Sequence, residues 1–245
     1  MSTTPAMRWS SASLTEVGKV HKVNQDACLD LPAAGLWVVA DGVGGHNEGE
    51  VASQLIVDTL SHTGGHVRLS DFVNAVEDSL QAVHKTLVDR AASRNENMII
   101  GSTVAALLVV EHYGVCLWAG DSRIYRYRGG QLEQLTRDHS QVEELIANGG
   151  LLREEAENHP HANVITRAVG AGEELFLDVE LQKIGNADRY LICSDGLYKE
   201  VSEAEIAEHM KYGDCVTICR TLVALALERG AQDNVTVVTL KFDAA

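Results

Sequence analysis

Residues 102–135 read STVAALLVVEHYGVCLWAGDSRIYRYRGGQLEQL. Four runs in this stretch carry the Val, Ile, Leu and aromatic content of strands: Ser102–Val110, Val115–Trp118, Ile124–Arg128 and Gln131–Leu135. Gly129–Gly130 reads as the tight turn of a hairpin. Working outward, strand patterns recur at Trp9–Leu14, Leu36–Ala40, Arg189–Cys193 and Asn234–Phe242. Helical patterns come in pairs around this block. Glu48–Leu60 puts Val51, Leu55 and Ile56 on one face. Ser70 is placed to cap a helix with Val73, Val76, Leu80, Val83 and Leu87 at three- and four-residue spacing. Ser202 and Glu205 form a capping-box pair before a short helix. Asp214 is placed to cap a last helix carrying Val216, Cys219, Leu222, Val223 and Leu227, ended by Gly230. Clustered strands with paired helices, rather than strict β-α alternation, predict an α+β fold of antiparallel sheet with packed helices. The polar stretch 136–174 contains Gly149–Gly150 and the turn His159-Pro160-His161. Its length and polarity predict a partly helical surface flap over a substrate.

Aspartates stand at the ends of the apolar runs. Asp41 follows LWVVA, Asp121 follows VCLWAG, Asp195 follows YLICS, and Asp233 precedes NVTVVTL. A carboxylate packs poorly at a strand end, whereas strand ends opening into a cleft commonly mount functional groups. Gly42, Gly196 and Asn234 beside three of them allow close approach of backbone to a ligand. Converging carboxylates repel one another unless a cation neutralises them, and oxygen-only donors suit Mg²⁺ or Mn²⁺ rather than zinc. Any single aspartate would equally serve as a cap or turn residue; the case rests on the set.

The 245 residues are 45% hydrophobic, enough for one sizeable core or two small ones. The acidic motifs run from Asp26 to Asp233 and make one site only if both halves build it, so a single domain over 1–245 is expected. The net charge of −15 disfavours nucleic acid and anionic membrane as partners. A phosphate-bearing substrate stays open, because bound divalent cations would invert the local field. Cys28, Cys116, Cys193, Cys215 and Cys219 are odd in number and form no CxxC, the pattern of reduced thiols in a cytoplasmic protein. The one-turn spacing of Cys215 and Cys219 permits a metal pair but reads first as packing. The stretch MSTTPAMRWSS lacks the basic and apolar regions of a signal peptide, and no run reaches the ~20 apolar residues of a membrane span.

In order along the chain stand Asn24-Gln25-Asp26, Asp41-Gly42-Val43-Gly44-Gly45-His46, Gly49-Glu50-Val51-Ala52-Ser53, Gly101-Ser102-Thr103, Gly120-Asp121-Ser122-Arg123, Asp138-His139-Ser140, Thr166-Arg167-Ala168-Val169-Gly170, Ser194-Asp195-Gly196-Leu197 and Asp233-Asn234-Val235-Thr236. This ordered set resembles the metal-dependent PP2C (PPM) protein serine/threonine phosphatases in their compact bacterial form, over nearly the whole chain. The resemblance implies an α-β-β-α sandwich, two antiparallel sheets face to face with helix pairs outside. It implies two core Mn²⁺ or Mg²⁺ ions. Asp41 would bridge both, the Gly42 carbonyl would complete the first site, Asp195 and Asp233 would hold the second, and Asp26 would act through water. Asp121 would join Asp195 at a weaker third site. On this reading Asp41, Asp195 and Asp233 are the catalytic residues. Paired cations about 3.5–4 Å apart lower the pKa of a water for in-line attack on phosphorus. No protein nucleophile is then required, which suits a chain without a CxxxxxR loop or a GxSxG elbow.

Two positions depart from the pattern. Where the family usually carries a phosphate-clamping arginine, this chain has His21, with Lys22 beside it and Lys19 near. An imidazole near its reference pKa of ~6.5 is mostly neutral at pH 7. It also lacks the guanidinium fork. Phosphate binding is therefore expected to be weaker, or to rest on Lys22 or on cationic His21; a plain strand-end surface role for His21 is the alternative. Val43 stands where eukaryotic relatives often carry a histidine as general acid, so leaving-group protonation would fall to water at the metal centre. His46 reads as structural. Hydrolysis of a p-nitrophenyl ester, whose leaving group needs little protonation, should then be insensitive to His46→Ala.

Other residues read more plainly. Cys193 is a core thiol, and Trp9, Trp37 and Trp118 are packing residues. His139, His159 and His161 could bind metal, but their place in the flap favours turn and substrate-contact roles. Arg123 and Arg167 anchor the fold. The leading reading is a cytoplasmic, monomeric phosphatase acting on phosphorylated proteins. It would oppose a bacterial Ser/Thr kinase, such as one governing cell-envelope or secretion machinery. Competing readings are a phosphatase of the anti-sigma-antagonist type, a non-catalytic phosphoprotein-binding regulator, and a small-molecule phosphomonoesterase.

Overall fold

The computed structural model describes residues 7–44, 48–94, 98–156 and 159–244. In chain order the elements are β1 (Met7–Glu16), β2 (Asp26–Leu31), β3 (Leu36–Val43), α1 (Glu48–Ser61), α2 (Leu69–Arg94), β4 (Gly101–Ser102) and β5 (Val104–Val110). Then come β6 (Tyr113–Ala119), β7 (Arg123–Arg128), β8 (Gln131–Gln134), α3 (Gln141–Ala147), β9 (Asp178–Lys183), β10 (Arg189–Cys193), α4 (Asp195–Tyr198), α5 (Glu203–Lys211), α6 (Cys215–Arg229) and β11 (Val235–Ala244). One sheet has the order β1-β11-β10-β7-β8, the other β2-β3-β5-β6-β9 with β4 on the end of β3. Every pairing is antiparallel. The fold is the α+β arrangement expected.

The period of two along each central strand builds the layers. Trp37 and Val39 point between the sheets, where they meet Trp118, Tyr190, Val238 and Phe242. Val38 and Ala40 point the other way, onto Ile56 and Leu60 of α1 and Phe72, Val76 and Leu80 of α2. Across the second sheet, Leu191, Cys193 and Val237 pack on Ile206 of α5 and on Ile218, Leu222 and Val223 of α6. Because helices cover both outer faces, the central strands are apolar on both sides and appear in the sequence as unbroken runs. Trp9, Trp37, Tyr190 and Phe242 meet edge-on or tilted between the sheets, with ring centroids 5.5–6.3 Å apart along the chain of neighbours.

The sheets close over the full length of the chain. β1 pairs with β11 from Met7↔Ala244 to Glu16↔Val235. The β7–β8 turn is the two-residue hairpin expected: Arg128 pairs with Gln131, and Gly129 and Gly130 have φ of 58° and 87°, a combination side-chain-bearing residues rarely adopt.

Several details differ from the sequence reading. Ser70 lies inside α2 rather than capping it. On α1 the buried face is Ala52, Ile56, Val57 and Leu60, with Val51 and Leu55 at its margin. Val216 on α6 is exposed. Ser102–Val110 breaks at Thr103 into β4 and β5, and β2, β9 and α4 were not anticipated. Ser202/Glu205, Asp214 and Gly230 cap as predicted. All five cysteines are free thiols. Among the described residues no helix is long and apolar enough to cross a membrane.

Candidate metal centre

The five aspartates named from the sequence meet at one end of the two sheets. Asp26 opens β2 and is paired across the ladder with Asp41 of β3. Asp195 is the first residue of α4, directly after β10, and Asp233 precedes β11, the strand beside β10. Asp121 lies in the β6–β7 connection. Asp26, Asp121 and Asp195 are buried, Asp41 is partly exposed and Asp233 about half exposed.

Neighbouring polar groups hold this constellation. Thr103 grips Asp41 at both ends of its peptide: its N–H donates to the Asp41 carbonyl at 2.8 Å and its Oγ1 accepts from the Asp41 N–H at 3.0 Å. Ser194 Oγ donates to Asp26 Oδ2 at 2.7 Å and accepts from the Thr236 N–H at 3.0 Å. Asn234 ties the 17–25 loop to β11. Its Nδ2 donates to the Val17 and Val23 carbonyls, and its Oδ1 accepts from the Gln25 N–H at 2.7 Å. Gly42 crosses Gly49 of α1 so closely that a Cβ on Gly42 would lie 2.1 Å from the Gly49 carbonyl oxygen. Thr103, Ser194 and Asn234 sit inside motifs quoted above, but nothing in their chemistry alone assigns these tasks.

The electrostatics are those of crowded acids. Burial, then the other aspartates, raise the Asp41 carboxyl well above the ordinary range. Burial pushes Asp26 up to about 7 despite hydrogen bonds from Ser194 and Thr236, with Asp195 and Asp233 adding to the rise. Asp121 is pushed up to about 7 by burial, Asp195 and Asp138, against the pull of Lys199. Asp195 Oδ1 is buried and has no hydrogen-bond partner among the described residues. A buried, unpartnered carboxylate oxygen is costly unless something cationic meets it. Among the described residues no three carboxylates, imidazoles or thiolates close on a single point. Oxygen-only donors and an orphaned buried oxygen suit a hard divalent cation.

The remaining candidates fall out as follows. His21 Nε2 lies 3.6 Å from Asp233 Oδ1, and His21 and Lys22 are exposed at the rim. His46 lies outside the described residues. Val43 ends β3, paired with Gly101 of β4. Arg123 forks onto Asp138 and stacks 3.7 Å over the Tyr198 ring, a fold anchor as expected. Arg167 pairs with Asp178. His139 is buried, stacks on Trp118, and its Nδ1 accepts the Gly120 N–H at 3.1 Å, so of the roles expected it takes the turn role, supporting the β6–β7 connection. His159 and His161 meet edge to face, with ring centroids 5.4 Å apart. The stretch expected to form the flap is bridged at Ser140↔Ile165 and carries α3 and a 3-10 turn at Arg153–Glu155.

A two-sheet sandwich with carboxylates gathered at one end defines a class of protein built around divalent cations. The family model of protein phosphatase 2C matches residues 18–226, and the chain belongs to that family. It is 34% identical over 227 residues to the serine/threonine protein phosphatase PstP of Mycobacterium tuberculosis, covering 93% of this chain but only 44% of PstP. The serine/threonine phosphatase stp of Listeria innocua is 33% identical, with 93% of each chain covered. The structure of PppA, described as a key regulatory component of T6SS in Pseudomonas aeruginosa, superposes with a TM-score of 0.90 at 44% identity, covering 96% and 97% of the two chains. The catalytic domain of PstP in complex with two manganese ions gives a TM-score of 0.86 at 32% identity, covering 98% and 100%.

Proposed function

We propose that this chain is a metal-dependent protein serine/threonine phosphatase, acting on phosphoserine and phosphothreonine in proteins, with residues 1–245 working as one domain. The observation that carries the reading is the gathering of Asp26, Asp41, Asp121, Asp195 and Asp233, with Asp195 Oδ1 buried and unpartnered.

Asp41, Gly42, Asp195 and Asp233 are the residues proposed to hold the core Mn²⁺ or Mg²⁺ ions, with Asp26 acting through water and Asp121 at the margin. When bound, such paired ions acidify an attacking water and neutralise charge growing on the phosphoryl oxygens. The chain's own part is positioning. Thr103 fixes Asp41, Ser194 fixes Asp26, and Asn234 holds the loop that carries His21 and Lys22. His21 and Lys22 supply positive charge for the phosphate from the rim beside Asp233. The flap offers protein surface for the polypeptide around the phosphorylated residue.

A Ser/Thr kinase is the natural opposing partner, since a phosphatase of this kind needs one to make its substrates. Free, mostly buried thiols favour a cytoplasmic location, and we read the chain as a monomer. The likeness to a Pseudomonas protein described as a regulator of T6SS makes phosphoproteins of secretion machinery the first substrates to try.

The test is phosphate release from a phosphothreonine peptide with Mn²⁺, Mg²⁺ or EDTA, for the wild type and Asp195→Ala. Metal-dependent release, lost in EDTA and reduced at least about a thousandfold in the variant, is expected for removal of a catalytic group. A folded, metal-loaded protein without release would leave a phosphoprotein-binding role.

A further inference from the structure

Asp195 divides its two carboxylate oxygens between different tasks. Oδ1 is the buried, unpartnered oxygen. Oδ2 is ion-paired with the ammonium of Lys199, one helical turn further on. The partnership is built into the backbone. The Lys199 N–H donates to the Asp195 carbonyl at 3.0 Å, closing α4. Tyr198 Oη donates to the Asp121 main-chain carbonyl at 3.0 Å, and the Arg123 guanidinium covers the Tyr198 ring while gripping Asp138. One short turn thus ties Asp195, Lys199 and the Asp121 loop together.

A lysine ammonium is a compact point charge with donors and no acceptor. It can satisfy a carboxylate oxygen but competes with a second cation for that oxygen at contact distance, because like charges repel. A further divalent ion drawn to Asp121 and Asp195 would need the oxygen that Lys199 holds. Oδ1, in contrast, has no hydrogen-bond partner among the described residues.

We propose that Lys199 is a tethered cation taking the place of a third divalent ion between Asp195 and Asp121, so that this chain binds two ions where its acidic cluster would otherwise draw three. The proposal rests on the metal-dependent reading above.

The test counts ions rather than turnover. The metal-free chain is titrated with Mn²⁺, bound ion being measured by equilibrium dialysis with elemental analysis and free ion by electron paramagnetic resonance. Wild type is compared with Lys199→Gln, Lys199→Met and Lys199→Arg, each first checked for folding by thermal melting in EDTA. Two ions are expected on the wild type and on Lys199→Arg. A third is expected on Lys199→Gln and Lys199→Met, at least about tenfold tighter than any third ion on the wild type. Three ions on the wild type, with midpoints matching those of Lys199→Gln, overturn the proposal without any variant being needed. A folded Lys199→Gln that still stops at two also overturns it. No Mn²⁺ on any of the proteins overturns the metal-dependent reading itself, and this proposal with it, so the two failures are told apart.

Discussion

At the residue scale, Asn234 shows how much of the site is held by uncharged groups. Its amide makes three hydrogen bonds to the 17–25 loop, to Val17, Val23 and Gln25. At about 0.5–1.5 kcal/mol net each, their loss in Asn234→Ala should destabilise the protein by roughly 2–3 kcal/mol. A urea melt should show this as a lower midpoint with unchanged slope, and an unchanged midpoint would mean the loop is held some other way. His139 gives a pH dependence. Burial lowers its pKa below the usual 6.5, against the pull of the Asp178 carboxylate 3.2 Å from Nε2 and with the Arg167 guanidinium adding to the fall, and the Gly120 N–H donated to Nδ1 faces any proton placed there. A depressed histidine contributes stability that is present above its unfolded pKa and is lost as pH falls. The raised Asp26 and Asp121 carboxyls gain stability as pH falls and do so in both proteins, so between pH 7.5 and 5.5 wild type should lose stability relative to His139→Gln. Equal changes in both proteins would sink the assignment. At His21 a guanidinium would add a bidentate phosphate grip, so His21→Arg should lower KM for a phosphopeptide several-fold, with kcat little changed. An unchanged KM would leave His21 as a surface residue.

At the scale of elements, the crossing of β3 over the start of α1 is the tightest joint near the cleft. A methyl on Gly42 would meet the Gly49 carbonyl oxygen at 2.1 Å and the Gln25 carbonyl oxygen at 2.6 Å, both backbone atoms with little room to give. Gly42→Ala should cost at least about 1–3 kcal/mol and weaken metal binding together with stability, because it moves the strand end that carries Asp41. Thermal melting in EDTA and a Mn²⁺ titration check the two effects; normal values in both would mean the joint yields easily. The same scale explains what was legible in the sequence. The central strands were, since each is covered on both faces and writes an apolar run. β2 and β9 were not: each is an edge strand, DACLDL and DVELQK, and its polar residues interrupt any run. α4 has only four residues, too few for a helical period, so Asp195 read as the end of a strand although it begins a helix. The aspartates themselves could be picked out because a carboxylate beside an apolar run is conspicuous. Ser194, Thr103 and Lys199 could not, since a hydroxyl or a lysine in a turn has many ordinary uses.

For the whole molecule, charge and topology act together. The chain carries a net −15, and its fold adds a further concentration of acid where the two sheets end. Residues from Asp26 to Asp233 supply that cluster, and the β1–β11 pairing brings the two ends of the chain together to build it. The hydrophobic layers must therefore hold together a site whose members repel one another. Cations that bind only the folded chain shift the balance by mass action, by about 2.7 kcal/mol at a hundredfold excess over Kd. For a domain of this size each kcal/mol moves the melting temperature by about 2–4 °C, so saturating Mn²⁺ should raise it by at least about 5 °C over EDTA. Sodium chloride at matched ionic strength screens surface repulsion but offers no ion of the right charge density to the buried oxygens, and should recover only a small part of that shift. Asp195→Ala should lose most of the Mn²⁺ effect while melting in EDTA no lower than wild type, because it removes a repelling carboxylate along with a ligand. If sodium chloride matched Mn²⁺, the stabilisation would belong to the acidic surface as a whole, and the carboxylates at the sheet ends would have no special claim on the ions.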